Sequence, residues 1–248
     1  MCYHFQDHDT EDYIKWFMSR NPQYKSYVWQ GTKYYVNGFA HGKNYVAKQG
    51  GEAIETLEWG LIPFWTKTKE DAKLRQNQTL NAKAETVFEL PSFRHCIKKQ
   101  KCLIFVKGFF EWRQIDAKNK IPYIIGVRNS EDMFTPFTFG GIFDKWIDKE
   151  TGEVRETFSI ITTPANEMMS IIHNSKMRMP LIIPEELQGE WLSTTDEKRI
   201  KELMVPYAAS RMLAYPVSKL VSQQKSEKDI AEITQGEEYP DVVFDEFL

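Results

Sequence analysis

Tyr13, Trp16 and Phe17 recur at i, i+3 and i+4 behind Thr10-Glu11-Asp12. That spacing predicts a short amphipathic helix with Thr10 as its cap, acids in its first turn and the three aromatics on one buried face. The helix is expected to end before Pro22. Beyond it the pattern changes to short β-branched and aromatic runs at 33–39, 54–59, 102–110, 121–127, 137–143 and 157–162, each of which predicts a strand. Turns bearing Gly, Asn or Asp separate them, including Ala40-His41-Gly42-Lys43 and Gly50-Gly51, which favours antiparallel pairing over βαβ crossovers. Residues 67–81 are polar, lack apolar periodicity and read as a surface loop. Thr195 is expected to cap a helix reaching Leu203, and 214–220 to return to the sheet. No Gly/Ser tract divides the chain and no repeat appears. The expected fold is α+β: a curved, mostly antiparallel, barrel-like sheet with peripheral helices, in one domain over 1–220, followed by an acidic tail or extension over 221–248.

Composition narrows the class. With 248 residues, 42% hydrophobic and 27% charged, the chain suits a soluble globular protein. No apolar run approaches the roughly 20 residues that cross a bilayer, and MCYHFQDHDT has neither the basic flank nor the apolar stretch of a secretory signal. Cys2, Cys96 and Cys102 cannot all pair and show no metal-ligand spacing, so a reducing cytoplasm is expected. Residues 226–248 hold eight acids and one lysine; the remainder, with 31 basic and 27 acidic residues, carries a formal +4. That value is compatible with a nucleic-acid face, although an ordinary mixed surface explains it as well or better. The acidic end reads as a solvated tail in preference to an intramolecular cover.

Several residues carry candidate chemistry. Removal of Met1 would leave Cys2 as a terminal 1,2-aminothiol, whose amine and thiol both react near neutrality. An aldehyde would form a Schiff base with the amine, and the thiol would then close a five-membered thiazolidine. An incidental second-position cysteine is the alternative. Glu111, in Gly108-Phe109-Phe110-Glu111-Trp112, follows an apolar strand, where a desolvated carboxyl with a raised pKa can shuttle protons; a strand-end glutamate paired with an arginine is the plainer reading. Gly108 would let another backbone approach closely. His173 ends an apolar stretch, and its imidazole can assist ring opening near neutral pH or serve structure alone. Arg178 is a candidate phosphate ligand or the partner of a surface carboxylate. Asn81 can donate and accept hydrogen bonds to orient an aldehyde or hydroxyl, and Lys83, on the same face of an extended segment, can meet phosphate; both also suit a solvated surface. Trp59 and Trp65 offer stacking platforms for bases or core packing. His4 and His8 lack the companions of a zinc site. P-loop, dinucleotide and serine-nucleophile motifs are absent, so neither a metal nor a cofactor is expected.

In this order, Met1-Cys2, Trp59-Gly60-Leu61-Ile62-Pro63, Asn81-Ala82-Lys83-Ala84-Glu85-Thr86, Gly108-Phe109-Phe110-Glu111-Trp112, Thr162-Thr163-Pro164-Ala165-Asn166, His173 and Arg178-Met179-Pro180 resemble the SRAP family of abasic-site processing proteins. The resemblance runs to about Leu220. It implies a strand-rich fold with a positive DNA groove and a thiazolidine between mature Cys2 and the ring-opened abasic deoxyribose. It assigns Asn81 to positioning the sugar, Glu111 to proton handling and adduct reversal, and His173 to ring opening. His4, Trp59, Trp65, Lys83 and Arg178 become DNA-binding candidates. Three features depart from the family pattern. Tyr3-His4 stands where many members have Gly-Arg, Lys83 replaces an arginine and so lacks its bidentate fork, and the spacing from His173 to Arg178 is longer than usual.

The resulting expectation is a monomer that captures abasic single-stranded DNA, in a replication-fork context and without membrane association, located in the cytoplasm and at the nucleoid if bacterial. A noncovalent single-stranded DNA-binding module is the runner-up. A cysteine peptidase using Cys2 and His173 is a third, weaker option; removal of Met1 underlies the family's older autopeptidase description. Cys2, Asn81, Glu111 and His173 are expected to converge on one pocket.

Overall fold

The computed structural model describes residues 2–223 and 227–239. Met1, which bears on the expected exposure of Cys2, and much of the acidic end lie outside the described residues. Among those residues, no helix is long and apolar enough to cross a membrane.

Five strands close a barrel. Ala53–Trp59 pairs antiparallel with Lys43–Lys48, which pairs with Lys101–Val106, then Phe137–Ile147, then Val154–Pro164; the last returns to Ala53–Trp59 in parallel register, Phe158 opposite Trp59. Pairing is therefore antiparallel except at the closure and at two short additions, Ser26–Tyr27 and Asn81–Lys83. Phe137–Ile147 coils tightly past its neighbours at Gly141, where a Cβ would stand 2.5 Å from Ile104 Cδ1 and 2.8 Å from Ser159 O.

A second sheet leans on the barrel. It runs Phe134–Thr135, Lys120–Arg128, Gly108–Gln114, His4–Gln6 and Val36–Asn37, with Met212–Pro216 also paired to Lys120–Arg128. The predicted strand over 102–110 is thus two strands. The chain leaves the barrel at Lys107 and enters the second sheet at Gly108, whose absent Cβ would otherwise meet Gln6 Nε2 at 3.0 Å and Ile125 O at 3.2 Å. Phe5, Phe109, Trp59 and Phe139 fill the space between the sheets.

Several local expectations change. The helix Glu11–Arg20 buries Tyr13, Ile14 and Phe17, while Trp16 stacks on Tyr13 at 5.2 Å and stays at the surface. Thr10 occupies the cap position, but its hydroxyl donates to Asp7 O at 2.8 Å and caps no helical N–H. Residues 67–81 contain a helix, Lys69–Gln78, capped by Thr68 accepting from Asp71 N. Only Ala72 and Gln76 on it are buried, which is why no apolar period marks it. The strand expected over 33–39 shrinks to Val36–Asn37, followed by a 3-10 turn at Gly38–Ala40. Asp196, one residue after Thr195, caps Glu197–Leu203. The described part of the acidic end does not stand free in solvent: Ile233 is fully buried with Phe110, Ile124, Val217 and Val221.

Candidate functional site

Cys2 precedes the strand His4–Gln6 and is completely buried. Its carbonyl accepts a hydrogen bond from Asn81 Nδ2 at 2.8 Å. Asn81 reaches it because Asn81–Lys83 lies parallel to Val154–Pro164, with Asn81 opposite Ile160 and Ala82 facing the core. Asn81 Oδ1 is buried and without a partner among the described residues, which leaves an acceptor beside Cys2.

Glu111 arrives from the other sheet. The two-residue period of Gly108–Gln114 sets Phe109 and Glu111 on one face and Phe110 and Trp112 on the other. Phe109 enters the main core and Phe110 the smaller cluster with Ile233. Burial pushes the Glu111 carboxyl up to about 8, so at neutral pH it is mostly a carboxylic acid. Burial also raises the Cys2 thiol far above its ordinary value, and Glu111 adds to that rise. A buried neutral thiol is a poor match for the thiolate that a cysteine peptidase would use.

His173 follows the helix Glu167–Ile172. Asn166 caps that helix by accepting from Met169 N at 2.8 Å, while its Nδ2 donates to Tyr207 O at 2.7 Å. His173 Nδ1 lies 2.8 Å from Arg178 O. A carbonyl only accepts, so Nδ1 carries the proton. Burial, ahead of nearby cations, lowers the imidazole to about 4. A neutral ring protonated at Nδ1 then turns the Nε2 lone pair towards Glu111 Oε2, 3.5 Å away. Distance alone would make these residues an ion pair, but both shifts oppose charge, and the pair is read as neutral acid facing neutral imidazole. Asn81 thus joins Cys2, Glu111 faces His173 and the Glu111 charge acts on the Cys2 thiol, but of these four only Glu111 and His173 line the cavity beside them.

A cavity of about 480 Å³ opens beside Glu111 and His173, lined also by Tyr3, His4, Tyr35 and Trp112. Ser175, Ser222, Lys120, Lys176 and Lys228 complete its polar wall. His4 stacks on Tyr35 at 5.2 Å, and burial holds its imidazole down at about 4, so it brings no charge at neutral pH.

The DNA-binding candidates divide. Trp59 is fully buried, stacked near Phe158 with its Nε1 donating to Leu80 O at 2.8 Å, and cannot serve as a stacking platform. Trp59-Gly60 is instead a packing motif: Gly60 has φ +107°, and a Cβ there would lie 2.5 Å from Gln76 O. Trp65 is half-exposed but stacks with Arg75, 4.3 Å from its ring centroid, and does not line the cavity. Arg178 grips Glu85 through two nitrogens and Thr162 O at 2.6 Å, so its fork serves a carboxylate and the backbone. That bond holds the Glu85 carboxyl below its ordinary range. Lys83 is exposed near Glu85 and outside the cavity lining. The sequence reading missed Lys120, Lys176 and Lys228; the isolated lysine within the acidic end was the signal for the last.

The family model for SOS response associated peptidase (SRAP) matches residues 1–224. Abasic site processing protein YoqW of Bacillus subtilis is 41% identical over 172 residues, 68% of this chain and 71% of that protein. Abasic site processing protein YoaM of the same organism is 38% identical over 185 residues, 74% of this chain and 75% of the relative. Among solved structures, a Bacteroides thetaiotaomicron protein superposes with a TM-score of 0.84 at 34% identity, covering 95% of this chain and 100% of that one.

Proposed function

The chain belongs to the SOS response associated peptidase (SRAP) family, and from that premise we propose that it processes abasic sites in single-stranded DNA by covalent capture at Cys2. The approach of Glu111 Oε2 to His173 Nε2 at 3.5 Å, with Asn81 Nδ2 bonded to Cys2 O at 2.8 Å, is the observation that carries this reading. After Met1 is removed, the Cys2 amine attacks C1′ of the ring-opened sugar, and the aldehyde oxygen leaves as water, giving an imine. Sγ then adds to the imine carbon while the thiol proton passes to nitrogen, closing the thiazolidine. Amine, thiol and aldehyde thus become one ring and one water.

Each residue has a task in that sequence. Glu111, kept protonated by burial, donates a proton to the departing oxygen and runs the same transfer backwards on release. His173 Nε2 accepts the proton of the sugar hydroxyl as the furanose opens, at a stage when Glu111 has turned its own proton to the substrate oxygen. Asn81 fixes the Cys2 backbone through Nδ2 and offers Oδ1 to the sugar. The partner in this reading is abasic single-stranded DNA, as at a replication fork, met by a monomer in the cytoplasm, at the nucleoid in a bacterial cell.

The test compares Met1-retaining and processed protein, mixed with intact or abasic single-stranded DNA and read by denaturing gel and intact mass. The processed chain is expected to give a stable one-to-one adduct lighter than its components by one water. Met1-retaining protein should give none, because its Cys2 nitrogen is an amide with a delocalised lone pair. Cys2→Ser should keep noncovalent binding and form only a reversible imine. An equal adduct yield from either control would refute the mechanism. DNA binding without any adduct would reduce the protein to a noncovalent module.

A further inference from the structure

Residues 227–239 lie beyond the 1–224 that the family model matches, yet they fold back onto the sheet that carries Glu111. Burial of Ile233 is the apolar anchor. Tyr34 N donates to Asp229 Oδ1 at 2.7 Å, Tyr215 Oη to Thr234 O at 2.9 Å and Tyr239 Oη to Val217 O at 2.7 Å. These ties set Lys228 at the cavity wall, its ammonium 5.1 Å from the centroid of the Tyr35 ring. A cation over an aromatic face is restrained in direction without being neutralised. Lys120 and Lys176 line the same cavity and stand close enough to His173 for their charges to act on it, whereas the charge of Lys228 acts on His4. Glu111 is the sole carboxylate among the described lining residues, and burial keeps it neutral.

An abasic nucleotide has no base to stack or pair. What remains for recognition is a sugar with a phosphate on each side, and a strand that presents this sugar to Glu111 carries both phosphates past the cavity walls. We propose that Lys228 binds the backbone phosphate on one side of the abasic sugar while Lys120 and Lys176 take the phosphate on the other. The segment beyond the family-matched region then supplies part of the DNA grip. This assignment rests on the abasic-DNA reading above.

The experiment uses the full-length chain and a single-stranded oligonucleotide with one tetrahydrofuran abasic analogue. The analogue lacks the aldehyde, so equilibrium binding is measured apart from capture. Lys228→Ala and Lys228→Gln are compared with Lys228→Arg and with Lys219→Ala, whose site is outside the cavity lining. One lost phosphate contact should lower the slope of log K against log salt by about 0.7, which is about fivefold in affinity near ~0.1 M salt and almost nothing near ~1 M. Lys228→Arg should restore the slope, and Lys219→Ala should leave it unchanged. Lys228→Gln keeps the stem over Tyr35, so a loss shared with Lys228→Ala comes from charge. Wild-type affinity and slope in both neutral variants would overturn the Lys228 assignment while leaving the abasic-DNA reading intact. Failure of the wild-type chain to bind the oligonucleotide would overturn both.

Discussion

Replacing Glu111 with glutamine separates the neutral-acid reading from every other property of the site. The folded chain keeps this proton up to about pH 8, against 4.5 for an ordinary carboxyl. Between those values the unfolded chain has released a proton that the native state retains, so stability falls as pH rises. The cost is about 1.4 kcal/mol per pH unit, or about 2.5 kcal/mol between ~pH 5.5 and ~pH 7.5. His173 acts with the opposite sign. Its imidazole is lowered to about 4, so the unfolded chain binds the extra proton between that value and 6.5, and stability rises with pH there. That contribution, like those of the other groups, is common to both proteins and cancels in the comparison. The glutamine amide can still donate to His173 Nε2, which avoids leaving a buried acceptor bare. Urea unfolding of wild type and Glu111→Gln at the two pH values reads the difference directly. The substitution should gain about 2.5 kcal/mol relative to wild type on going to the higher pH. Parallel profiles would mean that Glu111 is already ionised in the native protein, and its role as a proton donor would fall with them. Adduct formation has a matching signature: its rate should decline as pH rises through about 8, where the acid loses its proton.

Other substitutions test the remaining assignments. Trp59→Ala should cost about 3–5 kcal/mol in thermal or urea unfolding and leave the salt dependence of DNA binding unchanged, as befits a core residue. Gly60→Ala should destabilise by more than about 1 kcal/mol, since the backbone is left-handed there and the new methyl meets Gln76 O. Arg178→Lys keeps the charge but loses the fork on Glu85 and Thr162; a drop of about 1.5–3 kcal/mol in stability with an unaltered salt slope is expected, and a shallower slope would return Arg178 to the DNA contacts. Asn81→Ala frees the Cys2 backbone and should slow adduct formation about ten- to hundredfold in a quenched time course, with little change in noncovalent affinity.

Much of this protein was legible in local pattern. The β-branched and aromatic runs at 121–127, 137–143 and 157–162 marked strands that the fold contains and extends, because a strand covered on both faces buries nearly every residue and reads as a continuous apolar run. The spacing of Tyr13 and Phe17 marked a helix because both lie on its buried face. Cys2, Asn81, Glu111 and His173 stand out by functional-group chemistry and family resemblance, neither of which needs coordinates. Tertiary structure decided the rest. Lys69–Gln78 escaped notice because a helix that buries only Ala72 and Gln76 leaves no apolar stripe in its sequence. Trp59 was indistinguishable from a stacking platform until parallel pairing with Val154–Pro164 closed the barrel over it. The neutral state of the Glu111–His173 pair depends on desolvation, which chain folding creates and residue identity only permits. Lys228 reaches the cavity because Ile233, five residues on, is buried against the far face of the sheet. Local periodicity records which side of an element is apolar; which distant elements share a wall is set by closure of the barrel and return of the chain.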